Sequence, residues 1–561
     1  MEGGERMPTL TLNLRYLFSL VGRELSNSEL SELLEKCKMS LERIEGDELE
    51  VEVTTDRLDL LSEEGIARHF KGLLRIEEGL PRYSIFQSEV EGIVKESVLN
   101  VRPGFALGVV FGVDLGEDGL LSLMHLQEKI HQTWGRGRRK VSIGIHDFDK
   151  LTPPITYAGE RPEEIRFVPL GESEIMSARE IINKHEKGIA YGHIIADKPL
   201  YPVLRDSRGE VLSLPPIINS EMTRVTSETK NLLIDVTGTS QREVEQALIV
   251  VATALAEKGG KIGTVRIRGA KGEYVTPNLS PKEMKLEVEY FKLKTGLDLS
   301  SQEIASLLRK SRLDAVAQGN TVRALIPPYR VDFLHPIDLV EEALIVYGYN
   351  RLEWEIPNVM TTGRIHPTEK LSRKVRLLMV GLGYQEILSY VMTNEEELFD
   401  KVLRPRKPIV KVANPVSAAF TVLRDSLMPG LLSFLSNNVH APYPQKIFEV
   451  GDVVVIDEKE ETKARNERRI AAALADDVVS FERIQAHLDA LLRNLGVEYE
   501  LEEFEHPTLI SGRSAKISYL LNSVIEAGYI GEVKPEVLEN LGLRCPVGVF
   551  ELSLDPLIGE V

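Results

Sequence analysis

The densest concentration of chemically active side chains lies in the run Pro327-Pro328-Tyr329-Arg330-Val331-Asp332-Phe333-Leu334-His335-Pro336-Ile337-Asp338-Leu339-Val340-Glu341-Glu342. It carries four carboxylates: Asp332, Asp338, Glu341 and Glu342. Pro336 suits the first turn of a helix, where a missing N–H costs nothing. From there Asp338, Glu341 and Glu342 stand at i, i+3 and i+4 and project together. Leu339, Val340, Ala343, Leu344 and Tyr347 form the opposite face, expected to be buried. Asp332 precedes the helix and can fold back over its first turn. Clustered oxygens of this kind suit a hard cation, magnesium first. A plainer reading stands beside it: acids in a first turn complement the helix dipole, and an amphipathic helix has a solvated charged face. Spacing alone leaves both open.

A second group of polar residues follows strand-like segments. It comprises Ser213 and Asn219 in Val211-Leu212-Ser213-Leu214-Pro215-Pro216-Ile217-Ile218-Asn219, and Asp235 and Thr237 in Ile234-Asp235-Val236-Thr237-Gly238. Taken locally, Ser213, Asn219 and Asp235 are turn and cap residues beside strands. No Ser/His/Asp signature or G-x-S-x-G elbow accompanies them, and the chain has no P-loop. His146, with Asp147 and Asp149, imitates a metal or acid–base cluster; residues of these types at a strand end are expected to form a structural turn.

These side chains need a sizeable scaffold. The 561 residues imply roughly three to four domains of about 150 residues. With 43% hydrophobic and 27% charged residues the composition is that of an ordinary globular protein. No apolar run is long enough to span a bilayer, so no membrane partner is expected. The start, Met1-Glu2-Gly3-Gly4-Glu5-Arg6, lacks the basic and apolar parts of a secretory signal. Cys37 and Cys545 are the only cysteines, which excludes a disulfide framework and points to a reducing cytoplasm. A net charge of −18 opposes nonspecific adhesion to nucleic acid. A specific RNA contact would need local basic patches; Arg136-Gly137-Arg138-Arg139-Lys140 and Arg404-Pro405-Arg406-Lys407 are the candidates, each also explicable as a solvated loop.

Local signals supply the elements. Thr9 to Leu14 is apolar and strand-like, Tyr16 to Val21 suits a helix, and Ser26-Asn27-Ser28-Glu29 caps another. Leu49 to Val53 alternates as a strand and leads through Thr54-Thr55-Asp56-Arg57-Leu58-Asp59-Leu60-Leu61-Ser62 into a helix at Glu64-Gly65-Ile66-Ala67-Arg68. Val109 to Val113 and Val141 to Ile145 are buried strands by their β-branched and small residues, with a helix around Leu121 to His131 between them. Ser300-Ser301-Gln302-Glu303 caps a helix through Leu308. Lys370 to Gly381 forms a helix ending at a glycine signal.

The central motif, P-x-Y-R-x-D-x-x-H-x-x-D-x-x-E-E with Tyr347-Gly348-Tyr349 after it, resembles the signature of the phenylalanyl-tRNA synthetase beta-subunit family. So do T-x-D-R-x-D-L-x-S near residue 57, Ile143-Gly144-Ile145-His146-Asp147-Phe148-Asp149 through Tyr157, and the C-terminal series from Asn414-Pro415 through Leu423-Arg424-Asp425-Ser426 to Glu449-Val450-Gly451. The resemblance spans the chain in one domain order and matches the compact archaeal or eukaryotic form. It implies a multidomain α+β protein: an N-terminal α/β domain over 1–85, an aminoacyl-tRNA editing domain over 86–272, a winged-helix-like domain with the magnesium motif over 273–355, and a class II synthetase catalytic-like antiparallel-sheet domain over 356–561.

The resemblance further implies a heterotetramer with an alpha subunit (alpha2-beta2) that attaches phenylalanine to tRNA-Phe with ATP and magnesium. Asp332, Asp338, Glu341 and Glu342 would help hold that magnesium. In the editing pocket Leu204 would be wall, Ser213 and Asn219 polar groups, and Asp235 and Thr237 recognition or water-positioning groups, removing tyrosine misattached to tRNA-Phe. The C-terminal domain lacks the Gly-x-Gly-x-x-x-Arg strand that clamps ATP in complete enzymes. Arg424 is therefore expected to be a core or subunit-contact arginine, and the domain a scaffold for the catalytic alpha subunit. A free-standing hydrolase of mischarged tRNA and a non-enzymatic scaffold are the alternatives.

Overall fold

A computed structural model describes residues 8–269 and 272–559; the acidic start over 1–6 lies outside the described residues. The chain divides into two compact units, Met1–Glu355 and Ile356–Val561, each a mixed α/β assembly.

The first unit opens with a three-stranded sheet, Thr9–Asn13 beside Glu48–Val53 beside Met39–Glu45. Helices Leu14–Val21, Asn27–Glu35 and Glu63–Leu73 accompany it. Ser26 and Glu29 form a full capping box, as their spacing predicts, each satisfying a backbone donor of the other. Next comes a ten-stranded sheet, whose path runs Ile218–Asn219, Val211–Leu214, Tyr201–Arg205, Ile155–Glu160, Ile85–Val94, Lys261–Gly269, Gly104–Phe111, Asn231–Gly238 and Val141–Asp147, with Gly272–Thr276 paired to Lys261–Gly269 off that path. Gly104–Phe111 and Asn231–Gly238 are buried along almost their whole length, which their continuous apolar runs require. Helix Gln241–Ala256 packs across these central strands, with Val244, Ala247, Leu248 and Val251 wholly buried. The two ends of the path meet: Asn219 on the first strand donates through Nδ2 to Ile145 O on the last, at 3.2 Å. A curled sheet with facing edges leaves a hollow where they approach.

The remainder of the first unit is a three-stranded antiparallel sheet, Lys282–Glu287, Thr321–Ile326 and Asp314–Gln318, carrying helices Val288–Thr295, Ser301–Lys310 and Pro336–Tyr347. Ser300 and Glu303 form the second expected capping box.

The second unit is built on a seven-stranded sheet, mostly antiparallel, ordered Gln385–Glu386, Gln445–Ile456, Ala464–Ala475, Val547–Ser553, Val524–Val533, Leu509–Leu520 and Tyr499–Glu503. Helices Pro367–Gly381 and Phe481–Leu495 cover one apolar cluster with Phe448, Ile470 and Phe550; Met428–Asn437 covers another with Ile447 and Val549. No helix among the described residues is long and apolar enough to cross a membrane.

Leu248 carries the packing beneath the central strands, so Leu248→Ala is expected to lower stability by about 2–5 kcal/mol. A shift of the first transition in chemical denaturation, followed by circular dichroism, measures it.

Candidate functional site

The meeting of the two sheet edges encloses a cavity of about 410 Å³, within the range of small-molecule sites. Strand Val141–Asp147 contributes Ser142, Ile143, Gly144 and Ile145, the facing edge Ser213 and Asn219, strand Asn231–Gly238 Asp235, and helix Gly116–Gln132 Met124, Gln127 and His131.

Asp235 pairs in register with Gly144 on the neighbouring strand. A Cβ on residue 144 would stand 1.9 Å from Asp235 Oδ2 and 2.9 Å from His146 Nε2, so glycine is required for the carboxylate to lie across the strand. Once there, Asp235 Oδ2 meets His146 Nε2 at 2.7 Å, and His146 Nδ1 meets Thr223 Oγ1 at 2.8 Å. His146 is fully buried and Asp235 is 2% exposed. His146 therefore differs from its expected place in a turn: it is a strand residue whose partner comes from the adjacent strand. The turn begins one residue later, where Asp147 accepts from Asp149 N–H.

Among largely apolar walls, two further polar groups are anchored from behind. His131 Nε2 accepts from Ile143 N–H at 2.8 Å, which places a neutral ring's proton on Nδ1. Burial holds its pKa below the usual histidine value. Arg138 donates to Ile217 O at 3.0 Å and to Glu128 at 3.0 Å, with Tyr191 under its guanidinium at 4.3 Å. Ser213 Oγ is buried and has no hydrogen-bond partner among the described residues, an uncompensated cost of about 1–3 kcal/mol unless a bound group supplies one.

Three of the five residues assigned to the pocket by resemblance thus converge: Ser213, Asn219 and Asp235. Two do not line it. Leu204 packs into the apolar cluster of Tyr157, Leu212 and Leu233. Thr237 sits lower on its strand, where its Oγ1 accepts from the buried guanidinium of Arg102 at 3.0 Å. Gln127, His131, Arg138 and His146 were not assigned to the site in the sequence, because helix residues, a basic loop and a strand end converge only through the fold.

The four motif carboxylates point to three different partners. Helix Pro336–Tyr347 forms as expected, but Glu342 belongs to its buried face, alongside Leu339, Val340, Ala343 and Ile345. The cause is Arg330, which bridges Asp332 and Glu342, both at 2.7 Å through one nitrogen. Arg57 stands 3.7 Å from Glu342 and binds Asp59 through two nitrogens, at 2.9 and 2.8 Å. Asp338 caps the helix, accepting from Leu334 and His335 N–H at 2.7 Å. Glu341 reaches outward to Lys38 at 3.0 Å. Among the described residues no three His, Cys, Asp or Glu side chains converge to hold a metal ion. The expectation of one oxygen face is corrected accordingly: Asp332 and Glu342 serve a buried arginine, Asp338 the helix end and Glu341 Lys38.

Burial would push the Glu342 carboxyl up, but Arg330 and Arg57 outweigh it and hold it well below the usual carboxylate range. Asp59 is likewise raised by burial and pulled down to about 2 by Arg57, with Arg330 and Arg68 behind it. His69, buried in the same cluster, is pushed down to about 3 by burial and by Arg57.

In the second unit a cavity of about 460 Å³ is lined by Ser389, Tyr390, Asn394, Phe420, Arg424 and Ser426, among others. Arg424 is 5% exposed and its charge is matched by Glu449 at 2.7 Å, with further bonds to Asp452 O and Ser389 Oγ. A guanidinium so committed is a core residue, not a free clamp for phosphates.

Three family models match successive parts of the chain: "B3/4 domain" over residues 122–254, "tRNA synthetase B5 domain" over 284–349 and "Phenylalanyl tRNA synthetase beta chain CLM domain" over 352–554. The phenylalanine–tRNA ligase beta subunit of Korarchaeum cryptofilum is 49% identical over 552 residues, covering 98% of both chains. That of Pyrococcus abyssi is 46% identical over 558 residues, covering 98% of this chain and all of its own. A crystal structure of an N-terminal fragment of the beta subunit from Pyrococcus horikoshii aligns with TM-score 0.60 and 43% identity, over 61% of this chain and all of the fragment.

Removing the anion shared by two buried guanidiniums is expected to be severe: Glu342→Gln lowers stability by about 3–5 kcal/mol, measured by denaturant titration. Magnesium titrated into the chain by calorimetry is expected to show no site that this substitution abolishes. Acid acts on the same cluster. His69 moves from 6.5 down to about 3 and Asp59 from 3.8 down to about 2, so between each pair of values the unfolded chain binds more protons. Stability is complete above pH 6.5 for these groups and falls as pH drops toward 2. A His69→Leu variant is expected to lose the part of that slope above pH 4.

Proposed function

Because the chain belongs to the phenylalanine–tRNA ligase beta-subunit family, we propose that it joins an alpha subunit in an alpha2-beta2 heterotetramer that charges tRNA-Phe with phenylalanine, and that its own cavity hydrolyses tyrosine misattached to that tRNA. Magnesium and ATP belong, in this reading, to the aminoacylation carried by the alpha subunit in the cytoplasm. Residues 86–272 are the editing domain, 273–355 the winged-helix-like domain and 356–561 the catalytic-like scaffold.

The observation that carries the editing reading is the polar floor of the cavity: Asp235 braced by His146, Asn219 fixed to Ile145 O, and the unpartnered hydroxyl of Ser213. An apolar synthetic pocket rejects an added hydroxyl by only about a hundredfold. A second pocket that offers hydrogen bonds to that hydroxyl selects what the first admits in error. The aminoacyl ester is already reactive, so water held beside its carbonyl suffices without a nucleophilic side chain. Asn219, Ser213 and Asp235 supply donors and acceptors for both tasks.

The scaffolding role rests on the second unit. Its cationic residues Arg404, Arg424 and Arg469 are matched internally by Asp425, Glu449 and Glu551. Meanwhile Leu377, Val380, Leu388 and Tyr390 are exposed, the kind of surface a subunit partner covers. That surface favours an obligate complex over a free-standing hydrolase.

The test is deacylation of tyrosyl-tRNA-Phe by the chain co-purified with its alpha subunit. Asn219→Ala and Ser213→Ala are each expected to slow hydrolysis about 10- to 100-fold, with phenylalanine attachment retained. Wild-type hydrolysis in both variants removes the cavity from the reaction. No hydrolysis by any of the proteins leaves a scaffold.

A further inference from the structure

His146 is absent from the cavity lining, yet it makes the only side-chain hydrogen bond that Asp235 receives among the described residues. Its ring is held at both ends. Thr223 Oγ1 stands 2.8 Å from His146 Nδ1 and 3.2 Å from Ser220 O, and His146 Nε2 stands 2.7 Å from Asp235 Oδ2. That hydrogen bond keeps Oδ2 turned inward and leaves Oδ1 as the oxygen free for the cavity that Asp235 lines.

Two features support this arrangement. Gly144 has no Cβ where one would overlap Oδ2. Thr223 is 1% exposed and fixed by its own 3-10 turn, Glu221–Thr223. Neighbouring Arg102 and Tyr157 are engaged elsewhere: Arg102 with Thr237 Oγ1 and three backbone carbonyls, Tyr157 with Arg102 O. A carboxylate buried this deeply keeps one rotamer only if something holds it.

We propose that His146 is the positioning residue of this site, fixing Asp235 with one oxygen toward the cavity as the acceptor that distinguishes an aminoacyl group bearing a phenolic hydroxyl from one without it. This rests on the editing reading above. A phenol donates to Oδ1; an unsubstituted ring leaves that oxygen buried and without a donor. Such an unmet acceptor discriminates more strongly than an apolar wall does.

The experiment uses the complex with its alpha subunit and the variants His146→Leu, His146→Gln, Asp235→Asn and His146→Leu/Asp235→Asn. Deacylation of tyrosyl-tRNA-Phe and of phenylalanyl-tRNA-Phe is measured for each, with thermal melting as the control for folding. His146→Leu is expected to lower kcat/KM for the tyrosyl substrate about 10- to 100-fold and to erase most of the preference for it. His146→Gln, whose amide nitrogen reaches the Nε2 position, is expected to recover most of both. The double variant is expected to be no worse than Asp235→Asn, because the histidine acts only through the carboxylate. Additive losses, or wild-type preference in a folded His146→Leu protein, overturn the proposal. If His146→Leu does not fold, Thr223→Val, which removes the anchor of Nδ1, takes its place in the same comparison. A wild-type complex that deacylates neither substrate overturns the editing reading instead. Calorimetric binding of L-tyrosine against L-phenylalanine then still reads the role of His146: equal preference in wild type and variant refutes it.

Discussion

The first unit is organised by charge removed from water. Arg57, Arg68 and Arg330 are each at most 5% exposed, and a guanidinium in that environment is tolerated only with anions and hydrogen bonds around it. The anions come from three distant stretches: Asp59 from the segment after the N-terminal sheet, Glu257 beside Arg68 at the end of helix Gln241–Ala256, and Asp332 and Glu342 from the motif at the start of helix Pro336–Tyr347. Arg68 also lies over the Tyr329 ring at 3.7 Å. The N-terminal stretch cannot satisfy its charges alone: Arg57 and Arg68 face a single acid of their own, Asp59, and Arg57 reaches across to Glu342. The N-terminal sheet and the segment spanning 282–347 are consequently held in a single relative placement. A second clasp, Arg312 to Glu77 at 3.0 Å, repeats the arrangement nearby.

The carboxylates of the acidic motif meet Arg330, the helix end and Lys38, and so form an ionic junction between parts of one unit. The candidate active site obeys the same electrostatic rule at smaller scale. Asp235 is buried, and its place across Gly144 is possible only because His146 meets it and no Cβ intervenes. One acid is thereby kept from collapsing inward and remains available to the hollow between the sheet edges. Fold and site depend on one principle: a buried charge stays where its partner is fixed.

The second unit applies that principle to a different end. Glu551 accepts from Ser426, from the N–H groups of Leu427 and Met428 and from Arg469, so a buried acid ties the start of helix Met428–Asn437 to the central sheet. Arg424 is likewise consumed by Glu449. Both groups are thus held by partners within the unit.

Much was legible in the sequence where the signal is local. The capping boxes at Ser26 and Ser300, the strand from Glu48 to Val53 and the helix begun by Pro336 follow from residue types a few positions apart, because caps and periodicity are satisfied within the element itself. The motifs were likewise enough to place the chain in a family. Ser213, Asn219 and Asp235 were found by that route, since each is a side chain at the cavity wall. What the sequence could not disclose is which side chains meet. Glu342 belongs with Arg57, and His146 with Asp235, across 285 and 89 positions respectively; Leu204 and Thr237 turn into packing and into Arg102 instead of the hollow. Helical spacing specifies a direction around one axis, but the charge that a side chain answers lies on another element. Only tertiary closure brings that partner near and excludes the water that would otherwise replace it.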